Sequence, residues 1–344
     1  MAVTPNGANP RELYPHELLP EANRSGGIDA PWAGDDQQWW DWYVTLAENP
    51  QAGGPLVAGP GLPEVPAATD AEVTALLTEP YQVPEAAVQS FTHDGFVKLA
   101  GVLSPGVVRR LAERLQELLI AQHGSDTAGR FLALEQMWLH DDMMRLVALS
   151  PRLGAIAASL LGEPGVRIYH DNALSKEPGC GRTPWHHDDE HFPLDSAQVV
   201  TAWMPVTAIP AEMGPLSFAR GTGLRALLAG VDFDKVGTSY DVAVSRTFGS
   251  AGVQVVDSPY TVGDVSFHSA LCFHTAGPNR TTQPRRALAT TYFADGVRVV
   301  ASPTMVSGTW REFLPDTVPG AVADGRLNPV VGRSAPVRGA QPGR

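Results

Sequence analysis

Cysteine is nearly absent from this 344-residue chain: Cys180 and Cys272 stand far apart and form no C-x-x-C pair. That excludes a disulfide framework and a thiolate zinc site as the basis of the fold. Basic residues are also few, 25 Lys and Arg against 37 Asp and Glu. The formal charge of −12 argues against a nucleic-acid backbone or an anionic membrane as the main partner. No uninterrupted apolar run reaches the ~18 residues that span a bilayer, and no basic start followed by an apolar stretch opens the chain. The expectation is a cytoplasmic protein that acts on a small molecule. Nothing in the pattern speaks to oligomeric state.

Glycine (34) and proline (30) are plentiful, which suits many short strands joined by turns better than a helical bundle. Residues 1–83 read as a Pro/Gly-rich and acidic extension packed on the core, and 84–344 as one domain. Within the extension, Trp39-Trp40-Asp41-Trp42-Tyr43 is too aromatic to be left in water and is expected to pack as a short helix. From Pro84 a helix runs to Gly95 and is followed by the strand Phe96–Leu99. Ser104 caps a second helix opened by Pro105, whose Val108, Leu111, Leu115, Leu118 and Leu119 form one apolar stripe. Two more helical stretches are expected over Leu132–Leu149 and Pro151–Leu161. Past Gly165 the texture changes to strands: Val166–Leu174, Val199–Val206, Gly214–Phe218, Val253–Val256, Val265–Phe273 and Arg286–Phe293. A helical front followed by a run of strands implies a β-sandwich or barrel with helices on its outside.

The chemistry concentrates in Trp185-His186-His187-Asp188-Asp189-Glu190-His191, three imidazoles and three carboxylates in seven residues. Such a cluster is costly to organise unless a metal or a reaction uses it. On extended backbone, residues two apart share a face, so a His-x-Asp pair can meet one ion. His186/Asp188 and His187/Asp189 both satisfy that spacing, and the residues alone leave the register open. His140-Asp141-Asp142 also fits, but on a helix it would point its side chains apart and reads as a solvated face.

The segment Gly263-Asp264-Val265-Ser266-Phe267-His268, continuing through His274-Thr275-Ala276-Gly277-Pro278-Asn279 to Arg285, resembles the second half of the signature of the phytanoyl-CoA dioxygenase family. The first half of that signature, Trp-His-x-Asp, matches Trp185-His186-His187-Asp188 and selects the register His186/Asp188. The likeness covers roughly residues 84–296. It departs at Ala219-Arg220-Gly221-Thr222, where the family often has Pro-Gly-Ser-His, and the 1–83 extension has no counterpart.

The resemblance implies a double-stranded β-helix, a cupin-like jelly roll that is mainly β with flanking helices. It also implies an Fe(II)- and 2-oxoglutarate-dependent dioxygenase that uses O2. The metal ligands would be His186, Asp188 and His274. Arg285, eleven residues past His274, would hold the cosubstrate, with Trp203, Lys176 and Thr201 as further 2-oxoglutarate contacts. His187, Asp189, His191 and Asn279 are expected around the ligands or the substrate, and His268 as a buried, hydrogen-bonded histidine.

The chemistry of the donors agrees with this. Two imidazoles and a carboxylate on one face of an octahedral ion leave three positions open and suit non-haem Fe(II). The far carboxylate of a five-carbon diacid is best met by a guanidinium. On a strand only one of Arg285 and Arg286 can face inward.

Asp188 argues against a halogenase, which keeps that position open for chloride. Hydroxylation of an unactivated carbon in a natural-product intermediate is the leading expectation, with desaturation, epoxidation or ring formation as alternatives on the same cofactors. A non-catalytic jelly roll would be expected to lose a ligand or the arginine. Residues from about Leu224 to Ser250 and those after Gly296 are expected to shape the pocket.

Overall fold

The computed structural model describes residues 54–231, 239–303 and 310–333. The aromatic patch at 39–43 lies outside them. Residues 54–83 lie against the rest of the molecule. Val57 bridges Thr281 in parallel, and the Arg109 guanidinium donates to the Pro63 carbonyl. Helix α1 (Asp70–Thr78) opens on a capping box, in which the Thr69 hydroxyl accepts from the Glu72 N–H and the Glu72 carboxylate accepts from the Thr69 N–H.

Helix α2 (Glu85–Asp94) ends at Gly95, whose φ of 84° supplies the left-handed stop before strand β1 (Phe96–Leu99). Helix α3 (Pro105–His123) is capped by Ser104 and buries Val107, Val108, Leu111, Leu115 and Leu119. Each such side chain contributes ~1.5–3 kcal/mol of transfer free energy.

The expected helix over Leu132–Leu149 is instead a strand, a turn and a short helix: β2 (Phe131–Glu135), a single 3-10 turn at Met137–Leu139, and α4 (Asp142–Ala148). Gln136, at φ 52°, breaks the chain direction. Asp141 is the N-cap of α4 and pairs with Arg114, so the second His-x-Asp-like run serves a helix end. Helix α5 spans Pro151–Leu161.

The remaining strands are β3 (Gly165–Lys176), β4 (Thr183–His186), β5 (Val199–Pro205), β6 (Leu216–Ala219), β7 (Val255–Asp257), β8 (Val265–Ser269), β9 (His274–Ala276), β10 (Arg285–Ala294) and β11 (Val330–Arg333). Helix α6 (Ser239–Ala251) precedes β7. They form two antiparallel sheets. The larger runs β1-β8-β5-β10-β3-β11, with β2 also on β3; the smaller runs β4-β9-β6-β7. The sheets face each other, with Phe96 of β1 stacked on Phe218 of β6 at 4.5 Å. The architecture is the expected mainly-β jelly roll with flanking helices, although the two sheets do not close into a continuous barrel.

Alternation along the large sheet divides its residues between two environments. Val200, Ala202 and Met204 of β5, with Leu288 and Tyr292 of β10, point outward into the core shared with the helices. Trp203, Ala287 and Ala289 point inward, toward the small sheet. The expected single strand Val265–Phe273 is broken. Ser269 accepts from Cys272 N–H, and the chain crosses from β8 in one sheet to β9 in the other. At the turn before β8, Gly263 has φ 94°, and a Cβ there would meet the Leu103 carbonyl oxygen at 2.2 Å, so only glycine fits.

Asp171 of β3 is buried against the helix layer, and both its oxygens accept from the Trp138 N–H. Burial pushes its carboxyl up to about 7. A folded-state value above the unfolded one means that stability is fully present below ~4 and falls as pH rises toward 7. Asp171→Asn is therefore expected to be more stable than wild type at pH 8 by about 2 kcal/mol and to flatten that decline, as read by thermal unfolding at pH 5 and 8.

Candidate metal and cosubstrate site

His186 ends β4 and His274 begins β9, directly opposite it in register, so antiparallel pairing alone places the two imidazoles side by side with ring centroids 4.1 Å apart. Each Nδ1 lies against a main-chain carbonyl two residues earlier, Pro184 O at 2.9 Å and Cys272 O at 3.0 Å. Donation from Nδ1 fixes the tautomer and leaves both Nε2 lone pairs for an ion.

Asp188 lies just past β4. Its N–H and that of Asp189 both donate to the Ala270 carbonyl, in the crossover between β8 and β9. The segment that delivers His274 therefore also holds the backbone of Asp188. Asp188 Oδ1 is 3.8 Å from His186 Nε2 and 3.9 Å from His274 Nε2. One ligand atom from each of the three residues lies within 4.8 Å of the others, a spacing that one ion can bridge.

The electrostatics match the protonation states a metal requires. Burial drives the His274 imidazole well below its ordinary value and lowers that of His186, so both are held neutral. Burial alone would raise the Asp188 carboxyl, but the His274, His268 and His186 rings around it outweigh that and keep it ionised. Neutral imidazole and ionised carboxylate are the ligating forms.

His187, one residue on, turns the other way and packs edge-on against Phe273, with ring centroids 4.8 Å apart. Asp189 pairs with Arg225 at 3.3 Å, and the His191 N–H donates to the Asp188 carbonyl. The structure thus brings His186 and Asp188 together and turns His187 away. His268, on β8, has its Nε2 3.5 Å from Asp188 Oδ2, leaving Oδ1 as the oxygen turned toward the other two rings.

Arg285 is buried on the inner face of β10, with no carboxylate within ion-pair distance among the described residues. One terminal nitrogen donates to Gly214 O at 3.1 Å, while Nε has no partner. Burial lowers the guanidinium to about 10, so it remains a cation at neutral pH. It lies over the Trp203 ring at 5.3 Å, and Trp203 Nε1 is likewise buried without a partner. Between Arg285 and Thr291 the inner positions of β10 are the small residues Ala287 and Ala289, buried in the cluster that contains Trp203.

Lys176 and Thr201, also expected as cosubstrate contacts, have hydrogen-bond partners within the fold. Lys176 donates to the carbonyls of Gly181, Ala276 and Gly277, which joins β3 to the end of β9. The Thr201 hydroxyl bonds that of Thr291 at 3.0 Å. Asn279 donates to Lys176 O and Gln283 O and accepts from Thr281, so it braces the turn before β10. Arg286 faces outward, donating to Gln116 of α3.

The sequence profile of the phytanoyl-CoA dioxygenase family matches residues 91–287, a span that holds the whole constellation. The chain belongs to the phytanoyl-CoA dioxygenase family. It is accordingly a 2-oxoglutarate-dependent dioxygenase. Among proteins of known activity it is 28% identical over 224 residues to a 1-deoxypentalenic acid 11-beta-hydroxylase of Streptomyces exfoliatus, covering 58% of this chain and 76% of that one. It is 27% identical over 210 residues to a methylphosphonate hydroxylase of Gimesia maris, with the same coverage. Of solved structures, the α-ketoglutarate-dependent carbocyclase SnoK of nogalamycin biosynthesis aligns with a TM-score of 0.60 at 25% identity, over 74% of this chain and 99% of that one. The epimerase SnoN, in a complex with Fe3+, α-ketoglutarate and a nogalamycin compound, aligns with a TM-score of 0.58 at 27% identity, over 72% and 98%.

If His268 orients Asp188, His268→Ala is expected to fold normally yet weaken Fe(II) binding by about 10- to 100-fold, with His268→Gln restoring part of the loss. Titration of the apoprotein with Fe(II) against a competing chelator checks this.

Proposed function

We propose that His186, Asp188 and His274 hold Fe(II), that Arg285 with Trp203 holds the far carboxylate of 2-oxoglutarate, and that the enzyme hydroxylates an unactivated carbon of a natural-product intermediate. The observation that carries the reading is the pairing of two incomplete sites. Three ligating groups, already in their metal-binding protonation states, converge on one point. On the facing sheet, a buried guanidinium and a buried indole N–H lack anionic partners. Leaving such donors unpaired costs about 1–3 kcal/mol each, which an incoming carboxylate offsets.

When bound, iron and 2-oxoglutarate supply the oxidising chemistry that attacks a C–H bond, with O2 as the oxidant. The protein's share is positioning. Pro184 O and Cys272 O aim the two imidazoles, and Ala270 O holds the loop carrying Asp188. Arg285 fixes the cosubstrate's length axis against Trp203, and the two apolar cores on either side of the large sheet keep bulk water out.

The choice of a natural-product intermediate rests on relatives that hydroxylate 1-deoxypentalenic acid or act in nogalamycin biosynthesis. A second reading has its own support. Similarity to a carbocyclase and an epimerase favours ring closure or inversion as alternative ends of the same oxidation. Acidic charge supports a small-molecule partner rather than nucleic acid or an anionic membrane. One stretch, Asp142–Leu161, is long and apolar enough to cross a bilayer by length and composition, and 61% of it is buried as α4 and α5.

Anaerobic addition of Fe(II) and 2-oxoglutarate to the apoprotein should give the weak visible charge-transfer band of the chelate, and His274→Ala should abolish it. Absence of the band in wild type would sink the assignment. Arg285→Leu should retain iron but raise the 2-oxoglutarate concentration for half-maximal band intensity by at least tenfold. Arg285→Lys should recover little of this, because a point charge does not reproduce a bidentate fork.

A further inference from the structure

The inner face of the large sheet carries one transverse polar row level with the metal ligands. His268 of β8 is opposite Thr201 of β5, Thr201 opposite Thr291 of β10, and Thr291 opposite His170 of β3. Asp188 closes the row at the His268 end, and the two threonine hydroxyls are bonded to each other. At ~4.8 Å per strand, the row from β8 to β3 spans about 14 Å. It contains no lysine or arginine.

His170 ends this row with a use not yet accounted for. A register shift between Thr291 and Tyr292 marks a bulge opposite Tyr169, which brings Tyr169 and His170 into one aromatic group. The His170 ring lies edge-on to Tyr169 (5.3 Å), Phe192 (6.2 Å) and Phe313 (5.0 Å). Phe192 follows directly on the run that carries Asp188, so the motif loop itself forms part of this setting. Among the described residues, His170 Nδ1 has no hydrogen-bond partner. Nδ1 is sealed from solvent, whereas the side chain as a whole is only half-buried.

Those two facts favour the Nε2–H tautomer. A proton on the sealed Nδ1 would be a buried donor with nothing to receive it, so the proton belongs on Nε2, the nitrogen with access. Burial among the rings also drives the imidazole down to about 4, against the Asp188 charge, which pulls it the other way. The result is a neutral N–H donor in an apolar, aromatic surround.

We propose that His170 is a substrate-binding and specificity-determining residue: its Nε2–H donates to an uncharged oxygen, a ketone or hydroxyl, on a compact apolar ring system lying along the row from Asp188 to His170. The packed rings of Tyr169, Phe192 and Phe313 make the surround of His170 apolar, which suits an apolar body at that end. The absence of a cation from the row disfavours an anionic group at that end. This rests on the dioxygenase reading above, since it places the substrate beside the same metal ligands.

The test uses the anaerobic Fe(II)/2-oxoglutarate complex, with the charge-transfer band confirming that the site is loaded. Binding of 1-tetralone, tetralin and tetralin-1-carboxylate is then followed by tryptophan fluorescence. Wild type should bind the ketone about tenfold more tightly than the hydrocarbon and should not prefer the carboxylate. His170→Phe, which fits the aromatic group, should keep the band and erase the preference for the ketone. His170→Gln should keep part of it. Equal binding of ketone and hydrocarbon by loaded wild type, binding of neither up to their solubility, or an unchanged preference in His170→Phe overturns the proposal. A missing band in wild type instead overturns the dioxygenase assignment.

Discussion

The Asp188 carboxylate, enclosed by three imidazoles, is the interaction on which the rest of this structure depends. Taking a carboxylate out of water costs several kcal/mol unless nearby groups compensate it. Here the compensation comes from both sheets. His186 and His274 belong to the small sheet, and His268 to the large one. The two sheets are therefore tied together at one charge, and the spacing between them is set by the reach of imidazole side chains at that point. An ion at the common focus of His186, Asp188 and His274 would add the positive charge that the cluster itself lacks, since the His186 and His274 rings are held neutral.

That geometry is built from backbone more than from side chains. The crossover at 270–273 uses the Ala270 carbonyl to fix the backbone of Asp188 and the Cys272 carbonyl to orient His274. The Pro184 carbonyl does the same for His186. None of these three depends on the identity of the side chain that supplies it, so they leave no mark in composition or periodicity. The site is specified by the order in which strands enter the two sheets, which makes it a property of the topology.

Much of this was legible in the sequence, for a physical reason in each case. Helix α3 and helix α5 show themselves because a Ser cap, a Pro in the first turn and a period-3.6 stripe all agree. His186, Asp188 and His274 could be picked out because ligating residue types at fixed spacings are rare. The register, however, came from the family resemblance, since alternation alone allowed His187 and Asp189 equally.

What stayed hidden is equally instructive. Leu132–Leu149 carried apolar residues at spacings that a helix also satisfies, and only the left-handed Gln136 reveals the strand. The break inside Val265–Phe273 was invisible because no glycine or proline interrupts the segment. The main-chain groups that Lys176 and Asn279 satisfy come from segments distant in sequence, so these bonds could not be read from it. His268 needed the fold to find its partner, although its alternation with Ser266 marks the inner face of β8.

Strand β10 joins these observations into one arrangement. Its inward positions read Arg285, Ala287, Ala289, Thr291 and Phe293, from cation through small residues to hydroxyl and then aromatic. A strand that merely filled a core would put bulky aliphatics at its central inward positions, because voids between sheets forfeit contacts. The two alanines instead sit against large partners, among them Trp203 and Phe218 of the same cluster, and the residues flanking them differ in character. Under the function proposed above, the occupant on the Arg285 side would be anionic, met by a guanidinium over an indole. On the Phe293 side the polar row ends at a neutral imidazole among aromatic rings. The two ends of one strand thus favour chemically different guests, with the metal ligands facing them from across the gap. Period-two alternation lets ten residues carry this division while their outward faces, Leu288 and Tyr292, anchor the strand in the helix-backed core.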